Sequence, residues 1–150
     1  MVVLHYAGIS KNNASGVSVV VPQILNSQSS FAEVGFYNYG KEHFETNKKI
    51  VCLNSLSESD DYHSFPEPFN RPDIVIFHSP FGIMKCVGIA KKLKKDNIPY
   101  VVVPHGCFSR FAMQKKKIKK IVARILFLDK MIKNSCSIQY LSEGERLSSV

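Results

Sequence analysis

Tyr100-Val101-Val102-Val103-Pro104-His105-Gly106 is the stretch that decides the fold. A short apolar run stops abruptly at Pro-His-Gly, and a basic segment with helical spacing follows. That order predicts a buried parallel strand, Val101–Val103, which delivers His105 to a loop at its carboxyl end. In open α/β sheets, ligands bind in the crevice outside those ends. His105 is therefore the leading candidate functional residue, with Gly106 beside it.

The residues upstream complete a unit. Pro72-Asp73 opens a strand over Ile74–Phe77 that ends at His78. Ser79-Pro80-Phe81-Gly82 reads as a turn. Ile83–Lys95 reads as a helix, with Ile83, Val87, Ala90 and Leu93 inward and lysines outward. Asp96 or Asn97 ends it, because Pro99 forbids continuation. The unit has the length of a right-handed βαβ crossover.

Working outward, Val2–His5 reads as a first strand and Tyr6–Ser15 as a polar connection. A helix starts near Gly16, where Val17, Val20, Val21, Ile24 and Leu25 form an apolar stripe. Pro22 requires a later start or a kink. Phe31–Tyr39 and Lys49–Leu53 read as further strands, and Ser55–Pro72 as a long loop with a short helical turn. Beyond His105, a loop runs to about Ala112. Gln114–Asn134 is helical in pattern, and Ser137–Leu141 is a last strand. Ser142 and Glu145 have capping-box spacing at the start of a new helix over Ser142–Val150. Strands alternating with helices predict an α/β fold, a Rossmann-like doubly wound parallel sheet covered on both faces.

Composition sets bounds on function. The 150 residues are 45% hydrophobic and 21% charged, which suits one domain with a real core. No apolar run reaches the ~20 residues needed to span a bilayer, and the start lacks the basic and apolar regions of a signal peptide. A cytoplasmic location is the expectation. Cys52, Cys86, Cys107 and Cys136 are widely spaced, without a C-x-x-C pair, and are expected to be reduced and mostly buried. A Cys107–His105 nucleophilic pair is disfavoured, since near-adjacent loop residues rarely converge.

The net charge is +8 and it is localised: fourteen of the 20 Lys and Arg lie between Lys85 and Lys133, against Asp96 and Asp129. Such asymmetry points to an anionic partner. Lys115, Lys116, Lys117, Lys119 and Lys120 sit with Ile118 on an amphipathic helical pattern. A solvated surface face is the plain reading. An anionic membrane surface at the inner face is the functional one, with about 1 kcal/mol per basic residue near the lipid. Nucleic acid ranks lower, because the aromatics are not interleaved with the lysines.

His78 and His105 both end apolar strands, and His5 is similarly placed on the first. If the strands are neighbours, the rings share one crevice. Metal binding ranks behind direct substrate contact, since none of these histidines is paired at i+4 and no carboxylate accompanies His105. Ser15-Gly16 at the first helix start could hold a phosphate on backbone N–H groups, or be an ordinary capping turn.

In this order the motifs resemble the amino-terminal domain of GT-B glycosyltransferases, in particular retaining glycosyltransferase family 4. The resemblance rests on Ser15-Gly16-Val17, Pro72–His78, Val101–Gly106, the lysine-rich segment with Ala123-Arg124, and Ile138–Glu145. It covers nearly the whole chain. It implies a Rossmann-like domain, residues 1–150, that faces a carboxyl-terminal donor-binding domain absent from this chain. The implied partners are a nucleotide-sugar donor and a saccharide or lipid-linked acceptor, as in bacterial surface polysaccharide synthesis. Neither metal nor other cofactor is implied. Gly16 and Ser15 would lie against the donor diphosphate, His105 would orient the reacting sugar, and His78 and Gly106 would line the cleft. Many family members carry Gly-Gly where this chain has Ser15-Gly16. The chain alone is expected to be inactive. Two other classes stand beside this one: a stand-alone ligand-binding or regulatory α/β domain, and a nucleic-acid-binding protein.

Overall fold

Alternating apolar residues in the first strand pack both faces of a sheet. In the computed structural model, which describes residues 1–10, 16–40, 47–57, 59–80, 85–109 and 128–149, β1 spans Val2–Ala7. Val3, His5 and Ala7 face one side, and Leu4 and Tyr6 the other. All five are buried. β1 therefore runs two residues past the predicted end at His5. Tyr6 is paired on both sides, with Tyr37 and Phe77, and so belongs to the sheet interior.

β2 (Glu33–Asn38), β3 (Ile50–Cys52), β4 (Ile74–His78), β5 (Tyr100–Val103) and β6 (Ser137–Ile138) complete a six-stranded sheet in the order β3-β2-β1-β4-β5-β6. Every pairing is parallel. This is the order of doubly wound α/β folds, and the direction of winding reverses between β1 and β4. β2 starts later than Phe31, which is 66% exposed, and β6 is shorter than predicted, because the Leu141 N–H bonds the Glu145 carboxylate instead of continuing the ladder.

Two features fix the amino edge and one strand. Asp73 accepts from the Val2 N–H at 2.7 Å and donates its own N–H back to the Val2 carbonyl, so β1 and β4 start in register. Gly35, in β2, lies under Phe69. A Cβ there would come within 2.6 Å of the Phe69 ring, so the long loop before β4 packs on this strand only because the side chain is missing.

α1 (Gly16–Gln28) lays Val21 and Leu25 onto Ala7, Val34 and Phe36. It starts at Gly16 and carries Pro22 inside it. On the opposite face, α2 (Lys85–Lys95) buries Cys86, Val87, Ile89, Ala90 and Leu93 against Leu4, Val75, Phe77 and Val102. It ends at Asn97, whose left-handed φ of 58° closes the helix. The Ile98 N–H bonds the Leu93 carbonyl and the Asn97 N–H the Lys94 carbonyl, a Schellman motif with Asn in the usual glycine position. α3 (Asp129–Asn134) adds Met131 to the same core. α4 (Glu143–Ser148) is capped by Ser142, which accepts from the Glu145 N–H at 3.1 Å.

Ile83, Ser15 and the predicted helix up to Phe127, with Lys115, Lys116, Lys117, Lys119 and Lys120, lie outside the described residues. Of the cysteines, expected to be mostly buried, only Cys86 is buried, while Cys52 and Cys107 are half-buried and Cys136 is exposed. Cys136 falls at the amino end of β6, which among the described residues is the edge strand of the sheet.

Candidate functional site

The parallel sheet brings the three strand-borne histidines together. The side chains of His5 and His78 share the α1 face, because His5 pairs with Ile76 in β4 and His78 lies two residues further on. His78 in turn pairs with Val103, two residues before His105. The rings form a line. His5 Nδ1 lies 3.0 Å from His78 Nε2, and His78 Nδ1 lies 2.8 Å from His105 Nε2. At its inner end, His5 Nε2 lies 2.7 Å from Gln28 Oε1 at the end of α1. The His5 and His78 rings are nearly parallel, at 11°.

The line climbs from the sheet interior to its carboxyl edge, beside the point where the winding reverses. His5 and His78 are fully buried, and His105 is half-buried. Burial holds the rings neutral. It lowers the His5 pKa to about 4, against which the Gln28 hydrogen bond acts in the raising direction. His78 is pushed well below the ordinary histidine value, by burial first and by its two imidazole neighbours second. His105 is also lowered by burial, with the Glu145 carboxylate opposing. The ring nitrogens face one another pairwise along the line and do not converge on a common point, so the geometry is that of a relay of hydrogen bonds.

The outer end is held in an unusual conformation. His105 has φ 52° and Gly106 has φ 76°. A left-handed non-glycine residue costs of order 1–3 kcal/mol and persists only where its surroundings enforce it. Here Glu145 enforces it. This carboxylate, only 9% exposed, accepts from the Gly106 N–H with one oxygen and from the Leu141 N–H, at 2.8 Å, with the other. It ties the Pro-His-Gly turn to the start of α4. Ser79, itself at φ 50°, donates its N–H to the Val103 carbonyl and locks the end of β4 to that of β5.

His105 Nδ1 is buried and has no hydrogen-bond partner among the described residues. Gly106 is set in the same turn, and His78 is the middle ring of the line. Gly16, the first residue of α1, is exposed, and a Cβ built on it would meet nothing within 4 Å. It lies open at the helix start, where backbone N–H groups are unpaired by the helix itself. The loop that carries it begins with a fixed segment: Asn38 Oδ1 accepts from the N–H groups of Ile9 and Gly40, and Asn38 Nδ2 donates to the Ile9 carbonyl at 3.1 Å.

Sequence reading reached His5, His78, His105 and Gly106. It found Glu145 only as a helix cap, and it did not single out Gln28 or Asn38. Ser142-x-x-Glu145 gave the cap, but nothing in that spacing marks a carboxylate that reaches 39 residues back to Gly106. Among the described residues, a cavity of about 270 Å³ lies apart from the histidines, between α2 and α3, lined by Val87, Ala90, Tyr100 and Met131 with Lys91 and Lys130 at its rim. The segments that follow β1, β4 and the Pro-His-Gly turn in sequence include residues 11–15, 81–84 and 110–127, which are outside the described set.

Fold and site together define an α/β protein with an all-parallel sheet and a polar line of side chains at its switch point. No protein-family model, curated protein or solved structure matches the chain. No helix among the described residues is long and apolar enough to cross a membrane.

Proposed function

We propose that this chain is the amino-terminal, acceptor-side domain of a retaining GT-B glycosyltransferase, which moves a sugar from a nucleotide-sugar donor to a saccharide or lipid-linked acceptor. The observation that carries the reading is the conformation of His105. A left-handed histidine at the carboxyl end of β5 is held by Glu145 from one side and by a line of neutral imidazoles from the other. Strain of this kind collects where a side chain must be presented to a ligand.

Charge then sorts the roles. His105 is lowered below the ordinary histidine value and is neutral at pH 7, so it serves as a hydrogen-bonding group that orients the donor sugar. It does not supply the positive charge that a departing diphosphate needs. The charge beside His105 is the Glu145 carboxylate, which is negative and opposes the lowering by burial. The cations belong to the facing donor-binding domain or to residues outside the described set. The open space around Gly16 at the start of α1 supports its assignment to the donor diphosphate, which backbone N–H groups there would approach. The lysine-rich segment Lys115–Lys120 fits an acceptor held at an anionic membrane surface in the cytoplasm, with peripheral attachment.

The test is sugar transfer by the full-length protein across a panel of nucleotide sugars, with anomeric configuration read by NMR. One donor should be turned over with retention, and the 150-residue chain alone should be silent. Transfer with inversion, or full activity in the isolated chain, overturns the reading. Sedimentation with phosphatidylglycerol vesicles tests the basic segment: charge reversal of Lys115, Lys116 and Lys117 should abolish it.

A further inference from the structure

The line of rings has a direction, and Gln28 is the end that sets it. A carboxamide oxygen only accepts, so Oε1 at 2.7 Å requires the His5 proton on Nε2. The ring is neutral, so His5 Nδ1 carries a lone pair, and the hydrogen shared with His78 belongs to His78 Nε2. The same step repeats: His78 Nδ1 is then an acceptor, and the hydrogen shared with His105 belongs to His105 Nε2. One proton per ring satisfies all three contacts. The opposite direction would leave a buried N–H on His105 Nδ1, where no acceptor stands among the described residues. Buried N–H groups without a partner are rarer than buried acceptors without one.

We infer that Gln28 is a positioning residue that fixes the tautomer of His105 through His5 and His78, leaving the His105 Nδ1 lone pair as an acceptor for a hydroxyl of the bound ligand. On the sugar-transfer reading that donor is a hydroxyl of the transferred sugar, and this clause alone rests on that reading. The relay stands on the three distances. It explains why histidines occupy two fully buried positions of a largely apolar sheet, where isoleucine or valine would pack without desolvation cost. Each ring passes one donor and one acceptor along the line, which no aliphatic side chain can do. The groups facing the line are Gln28 from α1 and the Glu145 carboxylate from α4, so polarity is set at the inner end and the turn is held at the outer end.

The experiment is two-bond ¹H–¹⁵N correlation NMR on the ¹⁵N-histidine-labelled chain at pH 7.5, which reads which nitrogen of each ring bears the proton. The wild type should show protonated Nε2 and bare Nδ1 at His5, His78 and His105. A protonated Nδ1 at His105 overturns the inference, without recourse to any variant. Gln28→Glu keeps an acceptor at the same place and should keep all three tautomers. Gln28→Met removes it and should bring a measurable population of the Nδ1-protonated form at His105, though the substitution lies two rings away. An unchanged His105 tautomer in Gln28→Met refutes the positioning role. None of these readouts involves sugar transfer, so they stand or fall separately from the proposed activity.

Discussion

Acidification from pH 7 to pH 5 should weaken this fold, and the share that His5 contributes can be worked from its burial. The unfolded chain binds a proton at His5 with a pKa of 6.5, whereas the folded chain binds it only near 4. Below 6.5 the unfolded state therefore holds more protons, so stability is full above that value and falls as pH drops toward 4. Each pH unit inside the window costs about 1.4 kcal/mol per group. Allowing for the onset near 6.5, His5 alone removes about 2 kcal/mol between pH 7 and pH 5. His78 and His105 are lowered in the same direction and add to the loss. The lowered carboxyls, Asp61, Asp96 and Glu143, start from ordinary values at or below 4.5 and have little effect in this window. Urea unfolding at pH 7, 6 and 5 measures the effect. With a slope of about 2 kcal/mol/M, the His5 contribution is a midpoint shift of roughly 1 M. His5→Gln should shrink the pH 7-to-5 difference by that amount, whatever the substitution costs at pH 7. A midpoint that is flat from pH 7 to pH 5, or an equal slope in His5→Gln, would refute the reasoning.

Gly40→Ala should cost about 3 kcal/mol by urea unfolding, because a Cβ there would sit 2.2 Å from the Ile9 carbonyl oxygen, a backbone atom that cannot rotate away. Gly16→Ala should stay within about 0.5 kcal/mol of wild type, since nothing lies within 4 Å, and on the proposed sugar-transfer function it should weaken nucleotide-sugar binding by the full-length protein. Glu145→Ala leaves the Gly106 and Leu141 N–H groups without their carboxylate, so the fold should lose about 2 kcal/mol and amide exchange at Gly106 should accelerate. Asn38→Ala removes two bonds that tie Ile9, at the start of the β1–α1 loop, to the end of β2 and a third to the Gly40 N–H, and should cost about 2–3 kcal/mol by the same unfolding assay.

The parallel sheet was legible because its signals are local. The apolar runs at β1, β4 and β5 end in histidines or turn residues, and Pro99 and Asn97 mark where α2 must stop. Ends were misplaced where tertiary pairing overrides local composition. Tyr6 reads as the start of a polar loop, yet it is held between Tyr37 and Phe77. Leu141 reads as strand, yet Glu145 takes its N–H. The shared placement of His5, His78 and His105 followed from equivalent positions on candidate neighbouring strands. Their connection into one line did not, because it depends on register across β1, β4 and β5. Gln28 was invisible for the same reason. It ends a helix in a run of small polar residues, and only the packing of α1 on the sheet brings its amide to His5.

Sugar transfer by the full-length protein with and without the His105 imidazole tests the central claim most directly. His105→Ala keeps the Cβ and with it the strain of the left-handed turn, and His105→Gly relieves that strain while still deleting the ring. Both folded variants should lose about 10²-fold in kcat, the usual effect of removing one positioned hydrogen-bonding group. Wild-type kcat in either variant would contradict the account, because the imidazole that the strained turn presents would then have no part in the reaction.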